Sequence, residues 1–573
     1  MTRSTLPADA PPAEAVGPWR AVVEALRAEG VTHVFGLPGN PKHLLNDLAD
    51  HSDIRFVLMR DEKSAVACAY AWGRLTGRPG VVFSNPGPGI TNLVTGLLEA
   101  TCGSVPLVAI ANGVVQHQEG MGAFQELDSR ALMKPVTKWM ERVADIRRLP
   151  WVMRRAFATA RAGRPGAVYV EVPSDLTDQR AVFAPYVPSQ VWGPTRPDEA
   201  SVAAAAQLLA QARQPAILCG AGAVVSSAAA EVAQLADRLA AAVLTTPGGR
   251  GIYPEEAPNA LGQVGLYFTE AGKRWYDGAD VVLVLGSRLE AFSTNSWALY
   301  PGNAKIVQVD VDPLAIGMNW MPAVGVVGDV ALALRDLQAE LDRIGHRRDD
   351  QRALTLADTH REHVRRCVED ARQPQSPVRT RQVLEAVNRI FGRDTILMKE
   401  NGAADLWCYY WPYYRVLDAG DCVPMAEQTA MGMGVIGAIG AKMARPDKQV
   451  VCFAGDGAMQ MSIVELATAA EWKCGITWIV LNNQAFGWVQ YNQLLARRPL
   501  VNTGFVVGSD FATIARAQGC HGIRVTEPSQ VDDALIEACR LNRAGTPVLI
   551  DVQIARHDYS DHFVAVHHER IDH

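Results

Sequence analysis

Two short motifs at the ends of neighbouring apolar runs carry the most chemistry in this chain. Gly455-Asp456-Gly457 closes a run that begins at Val450, and Asn482-Asn483 closes another that begins at Ile476. Each run reads as a buried strand, and residues 461–472 between them have apolar residues at helical spacing. A strand–helix–strand unit of parallel strands brings both strand ends to one edge of the sheet, where doubly wound folds bind ligands. Asp456 and Asn483 are therefore expected to meet. A carboxylate beside a side-chain carbonyl suits a hard cation such as Mg²⁺, which takes few protein oxygens and completes its shell with phosphate and water. Gly455 and Gly457 would let a diphosphate approach the backbone where the next helix begins. Gly-Asp-Gly alone is also common turn chemistry, and the paired asparagines set this case apart.

The elements that must position these residues follow from the rest of the chain. At 573 residues it is too long for one ordinary domain, and three is the natural division. A composition 48% hydrophobic and 20% charged, with a net charge of −6, is that of a soluble globular protein and gives no reason to propose a nucleic-acid or membrane partner. The ten cysteines show neither Cys-x-x-Cys nor zinc spacing, which fits a reduced, cytoplasmic compartment. Residues 1–15 lack the apolar core of a signal peptide and read as a disordered lead-in.

Helix and strand alternate from Trp19 onward: helices over 21–29, 42–49 and 63–75, strands over 32–36, 54–59, 81–84, 105–112 and 167–172. This alternation predicts an α/β fold with a parallel sheet. Glu62 falls just after a strand and opens a helix, a position the helix dipole also favours. Asn85-Pro86-Gly87-Pro88-Gly89 forms a side-chain-poor loop before a helix expected after Thr91, and Phe124-Gln125-Glu126 lies in another loop on the same edge. A Pro-rich stretch over 185–197 reads as a linker. Strands over 214–219, 281–285 and 306–310 and a helix over 228–239 then make a second α/β unit, whose Gly220-Ala221-Gly222 is only part of a dinucleotide fingerprint. Residues 343–375 mix both charge signs and read as a solvated, partly helical connector. The expected division is 16–185, 198–342 and 378–554 for three doubly wound parallel-sheet domains, with a connector at 343–377. Residues 555–573 read as a flexible C-terminal arm.

Taken together, Glu62, the Gly455-Asp456-Gly457 motif and Asn482-Asn483 resemble the thiamine diphosphate enzymes of the acetolactate synthase type, over roughly residues 16–551. The resemblance implies pyrimidine-binding, central and diphosphate-binding domains, in that order. It implies metal ligands at Asp456, Asn483 and the Ala485 carbonyl. Cofactor contacts are implied at Glu62, Asn85, Gly87, Met431, Gly432, Met433, Gly455, Asp456, Gly457, Ala458, Asn483, Ala485, Phe486 and Gly487. Glu62 would share a proton with N1′ of the aminopyrimidine, favouring the imino tautomer whose 4′-nitrogen takes the proton from thiazolium C2. Met431 would support the bend that brings these atoms together, with small neighbours allowing close approach. Phe124 and Gln125 would line the reacting centre, one packing beside the substrate and the other hydrogen-bonding a developing oxygen anion. The cofactor itself would store the electrons released when a 2-oxo acid, with pyruvate the expected one, is decarboxylated. The implied activity is transfer of the resulting unit to an acceptor. The implied assembly is a homodimer at least, with a tetramer common among relatives and each site shared between subunits.

Several positions depart from the pattern. Asp61 stands where these relatives usually have His. Asn492 stands where acetolactate synthases have a tryptophan that helps select the acceptor, and with Trp488 it is the candidate substrate contact. Asn492-Gln493, Arg497-Arg498 and residues 285–294 are similar to sulfoacetaldehyde acetyltransferase, which releases acetyl phosphate; a simple 2-oxo acid decarboxylase is another alternative. A cofactor-binding scaffold is disfavoured by the joint presence of Glu62, Asp456 and Asn483. Acetolactate synthases also carry FAD structurally, which Gly220-Ala221-Gly222 and Arg288 leave open here. Six aromatics within residues 407–414 are expected to bury a subunit contact rather than line an acceptor pocket.

Overall fold

The computed structural model describes residues 14–39, 43–191 and 193–559. Most of the expected lead-in, and the tail beyond 559, lie outside the described residues. The chain divides into two compact units, one formed mainly by residues up to 191 and the other mainly by those after it.

The first unit is built on six parallel strands: β1 (His33–Gly36), β2 (Arg55–Leu58), β3 (Gly80–Ser84), β4 (Leu107–Gly113), β5 (Trp139–Arg142) and β6 (Ala167–Pro173), in the order β2-β1-β3-β4-β6-β5. The three central strands β3, β4 and β6 are buried along their whole length, as near-continuous apolar runs such as Gly80–Ser84 require when helices cover both faces. On one face the helices Pro18–Ala28 and Leu149–Arg161 turn Trp19, Val22, Leu26, Val152 and Phe157 onto these strands. The helix expected after Thr91 starts earlier, at Pro88, because proline is pre-set for a helix's first turn and needs no amide partner there.

The second unit holds two more all-parallel sheets. One comprises β7 (Pro215–Cys219), β8 (Ala242–Thr245), β9 (Ala260–Gln263), β10 (Val281–Leu285), β11 (Lys305–Asp310) and β12 (Val324–Val327), ordered β12-β11-β10-β7-β8-β9. The other comprises β13 (Thr395–Lys399), β14 (Cys422–Val423), β15 (Gln449–Gly455), β16 (Ile476–Asn482), β17 (His521–Val525) and β18 (Val548–Gln553), ordered β14-β13-β15-β16-β18-β17. This repeats the strand order of the first unit, and its reversal point lies between β13 and β15. The expected α/β class with three doubly wound sheets is what the chain forms.

Three sequence expectations are corrected here. The connector is not simply solvated: its helix Asp350–Ala371 buries Leu356, His360, His363 and Cys367. His360 Nδ1 lies 2.9 Å from the Ala260 carbonyl, and both histidines pack on Trp411. Mixed charge on the outer face hid an inner stripe at helical spacing. The aromatic run 407–414 is buried within its own chain, with Trp407, Tyr409, Trp411 and Tyr414 each at most 2% exposed, so it is not held in reserve for a partner subunit. Residues 461–472 do not form one helix. The helix Asp456–Gln460 stops, a single 3₁₀ turn follows at Ile463–Glu465, and Leu466–Glu471 completes the crossover.

Candidate functional site

At the carboxyl edge of the third sheet, a cavity opens beside the β13–β15 reversal point. Met431, Gly455, Asp456, Gly457, Ala458, Asn483, Ala485, Phe486, Gly487 and Trp488 all line it, so the fold gathers residues that lie up to 57 positions apart. Asp456 is the first residue of its helix and is only 4% exposed. Its carboxylate accepts N–H donors from Gly457 (2.8 Å) and Ala485 (3.2 Å), yet burial still pushes its pKa up to about 6. A buried carboxylate faced by backbone N–H groups but still costly to ionise is one a cation would relieve. Asn483 donates its side-chain N–H to the Arg556 carbonyl at 3.2 Å, leaving the amide oxygen as its acceptor end. A Cβ added to Gly455 would meet nothing within 4 Å, whereas one on Gly457 would lie 2.7 Å from the Phe486 ring. The first glycine keeps the strand end open and the second lets Phe486 close over the helix start. This donor set and open backbone fit a diphosphate held through Mg²⁺.

Gly432 and Met433 do not line the cavity; they form the turn and helix start behind Met431, where Gly432 has φ +88° and Met433 is fully buried. Asn492 is not in the lining either. Its side chain is exposed on the helix Gly487–Leu495, as are Arg497 and Arg498 beyond it.

Sequence reasoning missed the opposite wall. Trp407 lines the cavity and donates from Nε1 to the Asp558 carbonyl at 2.7 Å. Tyr559 donates its hydroxyl to the Gly487 carbonyl at 2.8 Å, and the Asp558 carboxylate accepts the Thr380 N–H at 2.7 Å. The segment up to 559 is therefore pinned at the cavity rather than being a free arm. Polar residues after the last strand gave no periodic signal for this.

In the first unit, Glu62 is the first residue of the helix Glu62–Thr76 and is 9% exposed. Asn92 donates to Glu62 Oε2 at 2.9 Å, a partner not foreseen although it lies in the first turns of the helix that the glycine loop opens. A Cβ on Gly89 would sit 3.1 Å from Glu62 Oε1 and 2.7 Å from Ser84 Oγ, so that glycine is needed for the approach. Asp61 accepts the Lys63 N–H at 2.6 Å and caps the helix, which gives the departure at this position a structural use. Asn85 donates toward the Pro38 carbonyl at 3.3 Å. A Cβ on Gly87 would lie 3.0 Å from Gln125, placing the proline–glycine loop directly against that residue. Gln125 itself is left-handed at φ +61°, while Phe124 is 83% exposed. Glu126 ties the loop together by accepting N–H groups of Gly120, Gly122 and Ala123, and those donors hold its carboxyl below the usual range.

The Gly220-Ala221-Gly222 turn is spent on packing. Gly220 N–H donates to the Leu285 carbonyl (2.8 Å) and Gly222 N–H to the Gly286 carbonyl (2.9 Å). A Cβ on Gly220 would lie 2.3 Å from the Gly286 oxygen. Arg288 pairs with Glu290. These residues do not fit a flavin pyrophosphate cradle, because the amides it would need are already used.

A doubly wound sheet with an open glycine and a buried carboxylate at its carboxyl edge is an arrangement suited to a phosphorylated ligand. Three domain models match in sequence: the thiamine pyrophosphate enzyme N-terminal TPP binding domain over residues 19–132, the central domain over 202–337 and the C-terminal TPP binding domain over 402–552. The probable acetolactate synthase large subunit of Methanococcus aeolicus is 30% identical over 557 residues, covering 93% of this chain and 91% of that protein. The acetolactate synthase large subunit of Haemophilus influenzae is 30% identical, covering 94% and 95%, and isozyme 3 of Escherichia coli is 30% identical with the same coverage. The chain belongs to the thiamine pyrophosphate enzyme family.

Proposed function

We propose that the protein is a thiamine diphosphate- and Mg²⁺-dependent carboligase that decarboxylates a small 2-oxo acid, pyruvate first among candidates, and passes the remaining unit to an acceptor. The observation that carries this reading is the convergence of Asp456, Asn483, Gly455 and Met431 on one cavity. Asp456, the Asn483 amide oxygen and the Ala485 carbonyl would hold the cation, and the open backbone at Gly455 would receive the diphosphate. Met431, which lines the same cavity, would support the bend of the cofactor. Glu62, oriented by Asn92, holds the proton that N1′ shares. Gln125, which lies against Gly87, would donate to a developing oxygen anion, and Phe124 would pack beside the substrate. Bound thiamine diphosphate supplies the electron sink that decarboxylation requires.

The Glu62 edge and the Asp456 edge act together in a homodimer or tetramer, each site using one edge from each of two protomers. Asn492, Arg497 and Arg498 lie outside the lining of the third-sheet cavity. The aromatic and aliphatic wall of Trp407, Phe486, Trp488, Leu481 and Ile554 would pack beside the bound cofactor. The test is product analysis by mass spectrometry with pyruvate alone, pyruvate plus an aldehyde panel, and sulfoacetaldehyde plus phosphate. Mixed ketols are expected as the main products. Efficient acetolactate formation from pyruvate alone would overturn the acceptor assignment, acetyl phosphate would redirect it to acetyl transfer, and no turnover of any 2-oxo acid would overturn the reading altogether.

A further inference from the structure

Glu400 follows β13 at the reversal point and has no place in the chemistry above. Its side chain is 0% exposed. Four backbone N–H groups converge on its carboxylate: Asn401 (2.8 Å) and Gly432 (2.9 Å) on Oε1, Gly434 (2.7 Å) and Val435 (3.0 Å) on Oε2. Three of these donors belong to the turn and first residues of the helix Met433–Ala444, whose leading amides have no partners within the helix. The fit around them is tight. A Cβ on Gly434 would lie 2.1 Å from the Lys399 carbonyl, and Ser462 Oγ holds the Gly432 carbonyl at 3.2 Å. Desolvation works against the charge on Glu400, raising its pKa, while the four donors favour it. A buried charge kept in this way serves the one segment that it grips. That segment carries Met431, whose methyl carbon lies 3.7 Å from the position a Cβ on Gly457 would take.

We propose that Glu400 is a positioning residue that locks the 430–435 turn and thereby sets Met431 where the bound cofactor must bend. This rests on the reading of Met431 given under Proposed function. Gln is the informative replacement because its volume matches. Whichever way its amide is turned, the NH₂ group faces two backbone donors where an oxygen had accepted them. Asp keeps the charge but is one methylene short, so it cannot reach all four donors.

The experiment compares wild type, Glu400→Gln, Glu400→Asp and Met431→Ala in the full chain. Three quantities are measured: thiamine diphosphate affinity by calorimetry with Mg²⁺, hydrogen–deuterium exchange at C2 of the bound cofactor without substrate, and amide exchange in the cofactor-free protein. Glu400→Gln is expected to keep cofactor affinity within about threefold, because the diphosphate anchor lies elsewhere, but to slow C2 exchange about tenfold or more. Amide exchange should rise in the peptide covering 430–436 and stay unchanged over β15. Met431→Ala should slow C2 exchange as well, with no change in amide exchange around Glu400. Should Glu400→Gln not fold, Glu400→Asp is read in its place and is expected to slow C2 exchange by a smaller factor. Wild-type C2 exchange in the folded Glu400 variant, with Met431→Ala impaired, overturns the role of Glu400 while leaving Met431 in place. Wild-type exchange in Met431→Ala overturns the reading of Met431, and the proposal with it.

Discussion

Replacing Asp456 by Asn should make the metal-free protein more stable at neutral pH while removing the anchor for its cofactor. Burial moves the Asp456 carboxyl from 3.8 to about 6. At 1.36 kcal/mol per pH unit, keeping it ionised in the metal-free fold costs about 3 kcal/mol. The side chain in Asn keeps one acceptor oxygen, so one of the two N–H bonds from Gly457 and Ala485 is lost, at about 1 kcal/mol. The balance at pH 7.5 is a gain of about 2 kcal/mol. The sign of the pH dependence follows from the raised value. The folded state holds the proton more tightly than the unfolded chain, so the stability this group contributes is fully present below 3.8 and is lost as pH rises through about 6. At pH 5 roughly half of the penalty is gone, and the advantage of the Asn variant should shrink to about 0.5 kcal/mol. The assay is denaturant unfolding of metal-free wild type and variant at pH 7.5 and pH 5, followed by amide exchange over β15 and β16 to localise the effect. Mg²⁺ with thiamine diphosphate should then raise the midpoint of wild type and leave that of Asp456→Asn unmoved. An advantage of equal size at both pH values, or a variant less stable than wild type at pH 7.5, would refute the burial argument. Unchanged cofactor affinity in the variant would refute the anchor.

Glu62→Gln is expected to leave cofactor affinity near wild type and slow turnover more than about a hundredfold, within the usual range for general acid–base help, as steady-state kinetics with saturating cofactor will check. Asn92→Ala, which removes only the 2.9 Å contact to Glu62, should slow turnover less, by about tenfold, with the larger change in kcat. Glu255→Gln tests the buried pair between Arg250 and Glu255, which also binds the Tyr414 carbonyl and the Val416 amide. Loss of the charge should destabilise the second unit by about 3–5 kcal/mol, read as a lower denaturation midpoint.

The parts of this fold legible in the sequence were those with a strong local signal. Strands β15 and β16 are apolar runs ended by polar turn residues, and both lie within a residue of the expected bounds. The convergence of Asp456 and Asn483 followed from parallel topology alone. Other features depend on tertiary partners that no local pattern encodes. Asn92 matters because it faces Glu62 from another helix. Trp407 enters the cavity because Asp558, 151 residues later, accepts its indole N–H. The run of aromatics at 407–414 looked like surface held for a subunit because its partners, Glu255, His360 and His363, come from the central sheet and the connector. Helical phase settles Asn492 only once the buried face of its helix is known, and that face is Gln490 and Tyr491.

Strand order by itself does not make a binding site. All three sheets are doubly wound, and each has a reversal point where a crevice is expected. In the central sheet that point lies between β7 and β10, and there the chain closes the crevice: the amides of Gly220 and Gly222 are bonded to the neighbouring turn, and glycine packs on glycine. In the third sheet, between β13 and β15, Glu400 takes up the amides of one turn from below, while Gly455 stays open toward the cavity. The same residue type thus serves opposite ends. A glycine whose missing side chain is replaced by a neighbouring backbone is a packing device, whereas one facing empty space beside a buried carboxylate leaves room for a ligand. On that criterion Gly455 of the third sheet leaves room for a ligand, and the central sheet is the frame that holds the aromatic wall of that cavity through Arg250, Glu255 and Trp411.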